Sequence, residues 1–311
     1  MCIRDSNLRM SIIGQDAQHN TQMTSLYLAD VYQAMRIFIT EYTILLNLNT
    51  AEFSDFIGEN FNQIYQSLTS ELSIRNLGKS VIESFGINNI ILEDNDVIVI
   101  AQKIISKSEN RLISLSKIKP TQEAMKIAKK ANKDPRVVEL ILQESKSIIR
   151  VSDGVVIVEH RLGHVLANAG IDRSNIESDE TDEKVLLLPE DPDASAEKIR
   201  SYISKKININ IGVLITDSMG RAWRLGTTGH ALGSSGIKTL IDLRNNAIDL
   251  FERELQTTCI AWADQLAAAA TLIMGESNEG IPVVIIKGIN TPSETDSIHD
   301  LIRPKNEDLF R

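Results

Sequence analysis

Short apolar runs rich in β-branched residues recur along the second two thirds of the chain: "NDVIVIAQKII" (95–105), "GVVIVEH" (154–160), "KVLLLPEDP", "IGVLITDS" and "PVVIIKGI". Runs of this length, bounded by acids, glycines and turn formers, read as buried strands. Helical patterns separate them. Pro120 opens "PTQEAMKIAKKANK" and Pro135 opens "PRVVELILQESKS", each suited to a first helical turn, where the missing N–H costs nothing. "DASAEKIRSYISKK" reads as a helix capped by Asp193, and "LQTTCIAWA" as a strand feeding the alanine-rich helix "DQLAAAATLIM". Strands alternating with helices predict an α/β (mixed α+β) class with a mixed sheet. The stretches 154–160 and 164–170 read as two strands joined around Leu162-Gly163 with no helix between them, which argues against a purely doubly wound fold.

The 311 residues are enough for one large domain or two small ones, and 42% hydrophobic content is ample for a core. A formal net charge of −9 argues against a general nucleic-acid or membrane-surface binder, either of which needs a basic face. Cys2 and Cys259 are the only cysteines, so no disulfide framework is implied and a reducing cytoplasm fits. No apolar run approaches the roughly 20 residues of a bilayer span, and no signal-peptide pattern is evident. The opening "MCIRDS" resembles translated sequencing-adapter DNA and is read as foreign to the natural chain. Residues 22–48 show mixed helical spacing, read as one or two helices, and residues 7–60 carry no recognisable chemistry. They are expected to be an added arm or upstream sequence read in frame, ahead of a domain spanning 62–311.

Four polar clusters sit at the ends of apolar elements, where a rigid scaffold presents a site. In "AQKIISKSEN", Lys103 and Lys107 are four apart and could address one anion, although solvated lysines look the same. In "NAGIDRSNI", Asp172 and Asn175 supply oxygens of the kind hard cations want, although an Asx-turn or helix cap uses the same residues. In "ITDSMGRAWRLG", Asp217 and Ser218 fall where a strand is expected to give way to a glycine-rich loop, with Arg221 and Arg224 able to grip a phosphate or carboxylate. The bland alternative is a capped turn with surface arginines. In "MGESNEGIP", Glu276 follows a helix end between glycines that allow close backbone approach, or that simply stop the helix. His160 and His164 in "EHRLGH" do not match the zinc pattern and read as structural. There is no P-loop, no G-x-G-x-x-G after a strand and no G-x-S-x-G. Taken together, acids at separate strand ends with lysines and arginines around them suit a nucleoside triphosphate with divalent ions.

The order "AQKIISKSEN", "KDPRVVELILQES", "VIVEHRLGHVLANAGIDRSN", "LLLPEDPDASA", "ITDSMGRAWRLGTTGHALG", "ADQLAAAATLIMGES", "GIPVVIIKGI" resembles the coenzyme F-420-0:L-glutamate ligase (gamma-glutamyl ligase) family over residues 62–311. The resemblance implies a GTP-dependent, cytoplasmic amide ligase of an unusual α/β fold that forms an intertwined homodimer. Its small-molecule substrates are F-420-0 and L-glutamate, the carboxylate of the first being activated as an acyl phosphate. It further implies Mn²⁺ or Mg²⁺, with K⁺ as a helper. Carried over by motif, the metal ligands fall on Asp172, Asp217, Ser218 and Glu276. Asn175 lies near the nucleotide, and Lys107 is the phosphate-side lysine with Gln102 and Lys103 beside it. The GTP-contacting loop covers Met274, Gly275, Glu276, Ser277, Asn278, Glu279, Gly280 and Ile281. Lys107, Asp217 and Arg221 are assigned to the catalytic step, with Arg221 and Arg224 facing the acidic tail of the substrate or the glutamate. The N-terminal nucleotide loop falls on Thr69, Ser70, Glu71 and Leu72, where the proline and acidic pair usual in the family are missing. That departure motivates an alternative, a GTP-binding regulatory module without catalysis. In some relatives a flavin-binding domain follows at about the position of "PKNEDLFR".

Overall fold

A computed structural model of the chain describes residues 9–12, 74–87, 91–176, 182–277, 279–289 and 296–308. In chain order the elements are β1 (Arg9–Ile12), α1 (Ile74–Ile87), β2 (Val97–Ala101), α2 (Gln102–Ser108), β3 (Leu112–Ser114), α3 (Gln122–Ala131), α4 (Pro135–Gln143) and β4 (Ser145–Ser152). They continue with β5 (Val155–His160), β6 (Val165–Ala167), β7 (Lys184–Leu186), α5 (Pro192–Ile207), β8 (Gly212–Arg221), β9 (Arg224–Ser235), β10 (Leu240–Asp242), β11 (Cys259–Ala261), α6 (Trp262–Met274) and β12 (Val283–Lys287).

The central sheet has five strands in the order β1-β12-β2-β8-β9. Only β2 and β8 run parallel in it, so the sheet is mixed, as the alternation of strands and helices predicts. Both faces are covered, which is why β2 is apolar throughout rather than alternating. Ile98 and Ile100 pack with α5 and α1 through Ile199, Ile203, Leu77 and Val81. Val97 and Val99 pack on the other side against Ala263, Leu266 and Ala270 of α6. Smaller antiparallel sheets, β4-β5-β6, β3-β7 and β10-β11, surround it. The first two enclose a second core with α4, centred on Ile141, Val156, Val158 and Val185. A buried polar knot braces this region: Glu144 accepts from Arg111 at 2.6 Å and from Arg161 at 3.0 Å, with His160 Nε2 at 3.4 Å. The histidine pair at 160 and 164 is therefore structural at its first member, which is fully buried beside a carboxylate.

The structure corrects several expectations. The run 95–105 is not one strand: β2 ends at Ala101, where its pairing with β12 and β8 runs out, and the next residue starts α2. Within α2 the Ser106 hydroxyl donates to Gln102 one turn back, a contact an extended chain could not make. Pro120 stands before the cap of α3, which is Thr121, whereas Pro135 does open α4. The "SKS" that follows α4 is already strand β4. Asp191, not Asp193, caps α5. Asp193 instead accepts from the Ser234 N–H and the Ser297 hydroxyl, tying the helix start to β9 and to the C-terminal tail. The glycine-rich "loop" after Asp217 is a β-hairpin, because β8 continues to Arg221 and turns at Ala222-Trp223 directly into β9. Residues 22–48 and the rest of 13–73 lie outside the described residues. Among those described, no helix is long and apolar enough to cross a membrane.

Candidate active site

A cleft opens where β2 and β8, the parallel pair among the described strands, part from each other. Pairing stops at Ala101↔Thr216, after which β2 becomes α2 and β8 runs on with an open edge. Gln102, Lys103 and Lys107 of α2 line the cleft on one side, and Asp217 and Ser218 of β8 on another. Met274–Ser277 and Glu279–Ile281 close it from the end of α6, and Asn175 reaches in from the turn after β6. The helical spacing of Lys103 and Lys107 thus does place both at one site, as their i, i+4 relation allows. The cavity measures about 120 Å³, below the roughly 300 Å³ at which whole small-molecule pockets begin. The described residues therefore enclose room for only part of a larger ligand.

Two distant segments meet here through one hydrogen bond. The Asn175 amide donates to the Ser277 carbonyl at 3.0 Å, joining positions 102 residues apart. Asn175 holds a left-handed backbone, φ 54°, and Gly170 before it has φ 64°, so the tight turn the glycine permits is formed. Asp172 makes the Asx-turn as well, accepting from both the N–H and hydroxyl of Ser174. Its other oxygen is ion-paired to Lys103. In the 274–281 loop, where Glu276 and Glu279 are both exposed, Glu279 folds back on the loop itself. Its carboxylate accepts from the Ser277 N–H at 2.8 Å and lies against Gly275, which has φ 73° and where a Cβ would collide with it.

The electrostatics of Asp172 and Asp217 diverge. For Asp172, burial raises the carboxyl, but Lys103 and Ser174 outweigh it and hold it below the usual range. Asp217 is pushed up to about 6, chiefly by burial and further by the charges of Asp172 and Glu276, with Lys103 and the Ser218 N–H opposing. One lysine therefore serves two carboxylates, and Asp217 receives the smaller share. Strand alternation also separates two residues that the motif sets side by side. Ser218 pairs with Gly229, whose missing Cβ would meet Ala267 and Thr271, so Ser218 faces α6. Asp217 faces the opposite layer with Met219. Both still line the cleft because the strand edge between them is uncovered.

Of the remaining assignments, Arg221 lies at the exposed hairpin tip, donating to the Gly226 carbonyl, and is not part of the cleft wall. Asp172 stands behind Lys103 rather than in the wall itself. Thr69, Ser70, Glu71, Leu72 and Asn278 lie outside the described residues. Sequence reasoning overlooked Ala101, Ile104, Thr216, Thr271 and Pro282, which also line the cleft. Thr271 was detectable, since it sits one helical turn before Met274 and Gly275. The Thr216 hydroxyl is already committed to the His230 carbonyl. Among the described residues no three His, Cys, Asp or Glu side chains are grouped as they would be around an ion.

Comparison with known proteins now bears on this cleft. The family model described as F420-0:Gamma-glutamyl ligase matches residues 73–288. The chain belongs to that family. Among curated relatives, the Coenzyme F420:L-glutamate ligase of Methanocaldococcus jannaschii is 48% identical over 241 residues, covering 78% of this chain and 94% of that protein. The enzyme of the same name from Methanococcus maripaludis strain S2 is 47% identical over 220 residues, 71% of this chain and 86% of its own. That of Methanopyrus kandleri is 43% identical over 224 residues, 71% and 87% respectively. The family match spans every described segment of the cleft, from α2 through β12.

Proposed function

We propose that the chain is a ligase that adds L-glutamate to coenzyme F-420-0 through a gamma-linked amide, driven by GTP, in the making of coenzyme F-420. The observation that carries this reading is the convergence of Lys103, Lys107, Asp217 and Asn175 with the 274–281 loop where the parallel strands β2 and β8 part. The names of the relatives support ligation of L-glutamate in this pathway. The γ-phosphoryl group passes to the terminal carboxylate of F-420-0 and GDP leaves. The glutamate ammonium gives up a proton to solvent, and the free amine then forms the C–N bond, losing a second proton as phosphate departs. Lys103 and Lys107 flank the place where negative charge collects, and a fixed cation there acts more strongly than in water.

The donor chemistry fits a hard cation. Asp172, Asp217, Glu276 and Ser218 offer carboxylate and hydroxyl oxygens, and the raised Asp217 carboxyl marks charge that Lys103 alone does not compensate. These four are the residues we assign to Mn²⁺ or Mg²⁺, with K⁺ as an accessory ion; their acids are not gathered around one point in the structure, so Lys103 would give up its hold on Asp172 and the acids would draw together around the ion. When bound, a divalent ion supplies charge neutralisation at the phosphate oxygens. Asn175 and Glu279 fix the loop that faces them.

The reading includes a homodimer. Its support is exposed apolar side chains at two places: Trp223 (86%) and Leu225 (100%) at the hairpin tip, and Leu250 (93%) and Phe251 on the loop after β10. Soluble monomers rarely leave such groups uncovered together. Arg221 and Arg224 on the same tip are then kept for an acidic substrate tail. The test is direct: purified protein with GTP, Mn²⁺, L-glutamate and F-420-0 should release GDP and yield a product heavier by one glutamate. GTP binding without GDP release would instead make it a regulatory module.

A further inference from the structure

A second cavity, of about 230 Å³, lies across β9 from the cleft. Its walls come from the β5–β6 turn, from β9, from the first turn of α6 and from the C-terminal tail. The tail is seated there by contact: Gly163, with φ 93°, leaves no room for a Cβ beside Ile302, and Lys305 pairs with Glu159 at 2.9 Å. The two cavities are next-door neighbours. Asp217 and Thr216 line the first, and their directly opposite partners His230 and Ala231 line the second. Opposed residues of an antiparallel pair have Cα atoms about 5 Å apart.

The wall carries both signs of charge. Arg303 is exposed at the rim and has no ion-pair partner among the described residues. Asp264 uses one oxygen to accept the Ala231 N–H, leaving the other, and Asp308 stands opposite. His164 Nε2 is buried with no hydrogen-bond partner, an omission that buried nitrogens rarely show unless something else supplies the partner. Burial first, and then His160, His299 and His230, hold His164 neutral, down to about 4. His230 Nδ1 is 2.9 Å from the Thr228 carbonyl, which can only accept, so Nδ1 carries a hydrogen.

We infer that this second cavity is the subsite for the amino-acid acceptor, an α-amino acid bound as a zwitterion, with its ammonium toward Asp264 and His230 and a carboxylate on Arg303. The inference rests on the ligase reading. A polyphosphate suits the cavity poorly, because Asp264 and Asp308 repel it, whereas an ammonium next to carboxylates is matched. The position puts both subsites on one strand pair: His230, beside the amine, lies directly opposite Asp217, which lines the cleft. Asp264 orients the nitrogen, and Arg303 fixes the far end bidentately.

Calorimetric titration of L-glutamate into the full chain, with Mn²⁺ and a non-hydrolysable GTP analogue present, tests it. Arg303→Ala should weaken glutamate binding by about 10- to 100-fold, the range for a lost charged hydrogen-bond pair. Arg303→Lys should restore part of it, and the affinity for the GTP analogue should hold in both. Because Arg303 is exposed, neither change threatens the fold. Unchanged glutamate affinity in Arg303→Ala, an equal loss of nucleotide affinity, or no glutamate binding by the unaltered chain overturns the inference. Failure of the ligase reading looks different: the unaltered chain would release no GDP from GTP with both substrates present, whatever the calorimetry gives.

Discussion

Strands β8 and β9 behave as two different objects along their length. Over Gly212–Thr216, β8 is clasped between β2 and β9, and every residue is buried. Beyond Asp217 it pairs with β9 alone, and residues 220–227 are all exposed. The hydrogen-bond ladder continues through both halves, so backbone pairing does not distinguish them. What changes is the loss of β2 as a neighbour, which opens one edge of the strand. Asp217 stands at that transition, buried enough for its carboxyl to be raised yet beside an edge from which a ligand can approach. Chemistry gathers where a rigid element becomes uncovered, not on the most exposed part.

The largest effect that sharpens this contrast is expected at the transition itself. Asp217→Asn should cut turnover by a factor of 100 or more, the scale of losing one preorganised electrostatic group. The same change should stabilise the metal-free chain. The folded carboxyl is raised from 3.8 to about 6, so its ionisation costs stability, with the cost absent below pH 3.8 and complete above about 6. Asp217→Asn should therefore gain up to about 3 kcal/mol in thermal unfolding at pH 8 and nothing near pH 3.5. Equal melting curves at both pH values would remove the burial argument.

Glu144 gives the opposite sign. Burial raises its carboxyl, but His160, Arg111 and Arg161 outweigh this and hold it at about 2, against an ordinary 4.5. The stabilisation is present above pH 4.5 and is lost as pH falls toward 2. Glu144→Ala should cost about 3–5 kcal/mol at neutral pH, since it strands buried cations, and should flatten the acid limb of the stability profile measured by denaturant titration.

Two glycines of one hairpin then separate its halves. A Cβ at Gly229 would lie 2.5 Å from the Ala267 carbonyl, whereas at Gly220 nothing stands within 4 Å. Gly229→Ala should cost about 1–3 kcal/mol, and Gly220→Ala should stay within about 0.5 kcal/mol. Similar midpoints for the two would mean that the arm is as tightly packed as its root. The smallest effect on the stability of one chain is expected from Leu225→Asp together with Leu250→Asp. It should leave the thermal midpoint of the monomer nearly unchanged while converting a dimer to monomer in sedimentation; a mass unaffected by the change would remove the dimer from the reading.

The fold was legible where a residue's local preference and its tertiary role agree. Pro135 and the runs at 154–160 and 283–287 needed nothing beyond their own neighbourhood. Legibility failed where a neighbour decides. "VIVIAQKII" is apolar enough to remain extended, yet it turns into a helix after Ala101 and leaves the edge of β8 beyond Thr216 unpaired on that side. "SMGRAWRLGTT" has the composition of a loop, yet each strand finds a partner in the other. Asp193 sits as well as Asp191 for a cap, and only the arrival of β9 and the tail tells them apart. The site followed the same rule. The cleft residues of α2, β8 and the 274–281 loop were readable from motif order. Strand alternation, which turns Ser218 away from Asp217, was readable only once the hairpin was known.

The order β1-β12-β2-β8-β9 also sets a schedule for biosynthesis. β2 is made early, but its two flanking strands emerge more than 100 residues later, β12 among the last elements of the chain. A ribosome-bound intermediate therefore holds "VIVIA" without either neighbour, an unpaired sticky segment of the kind that invites aggregation. Closing such distant pairings is slow, because loop entropy is spent before contacts reward it. The cleft, built at the end of β2, can assemble only after translation has passed Lys287, so it is completed late, as one unit with the sheet that carries it.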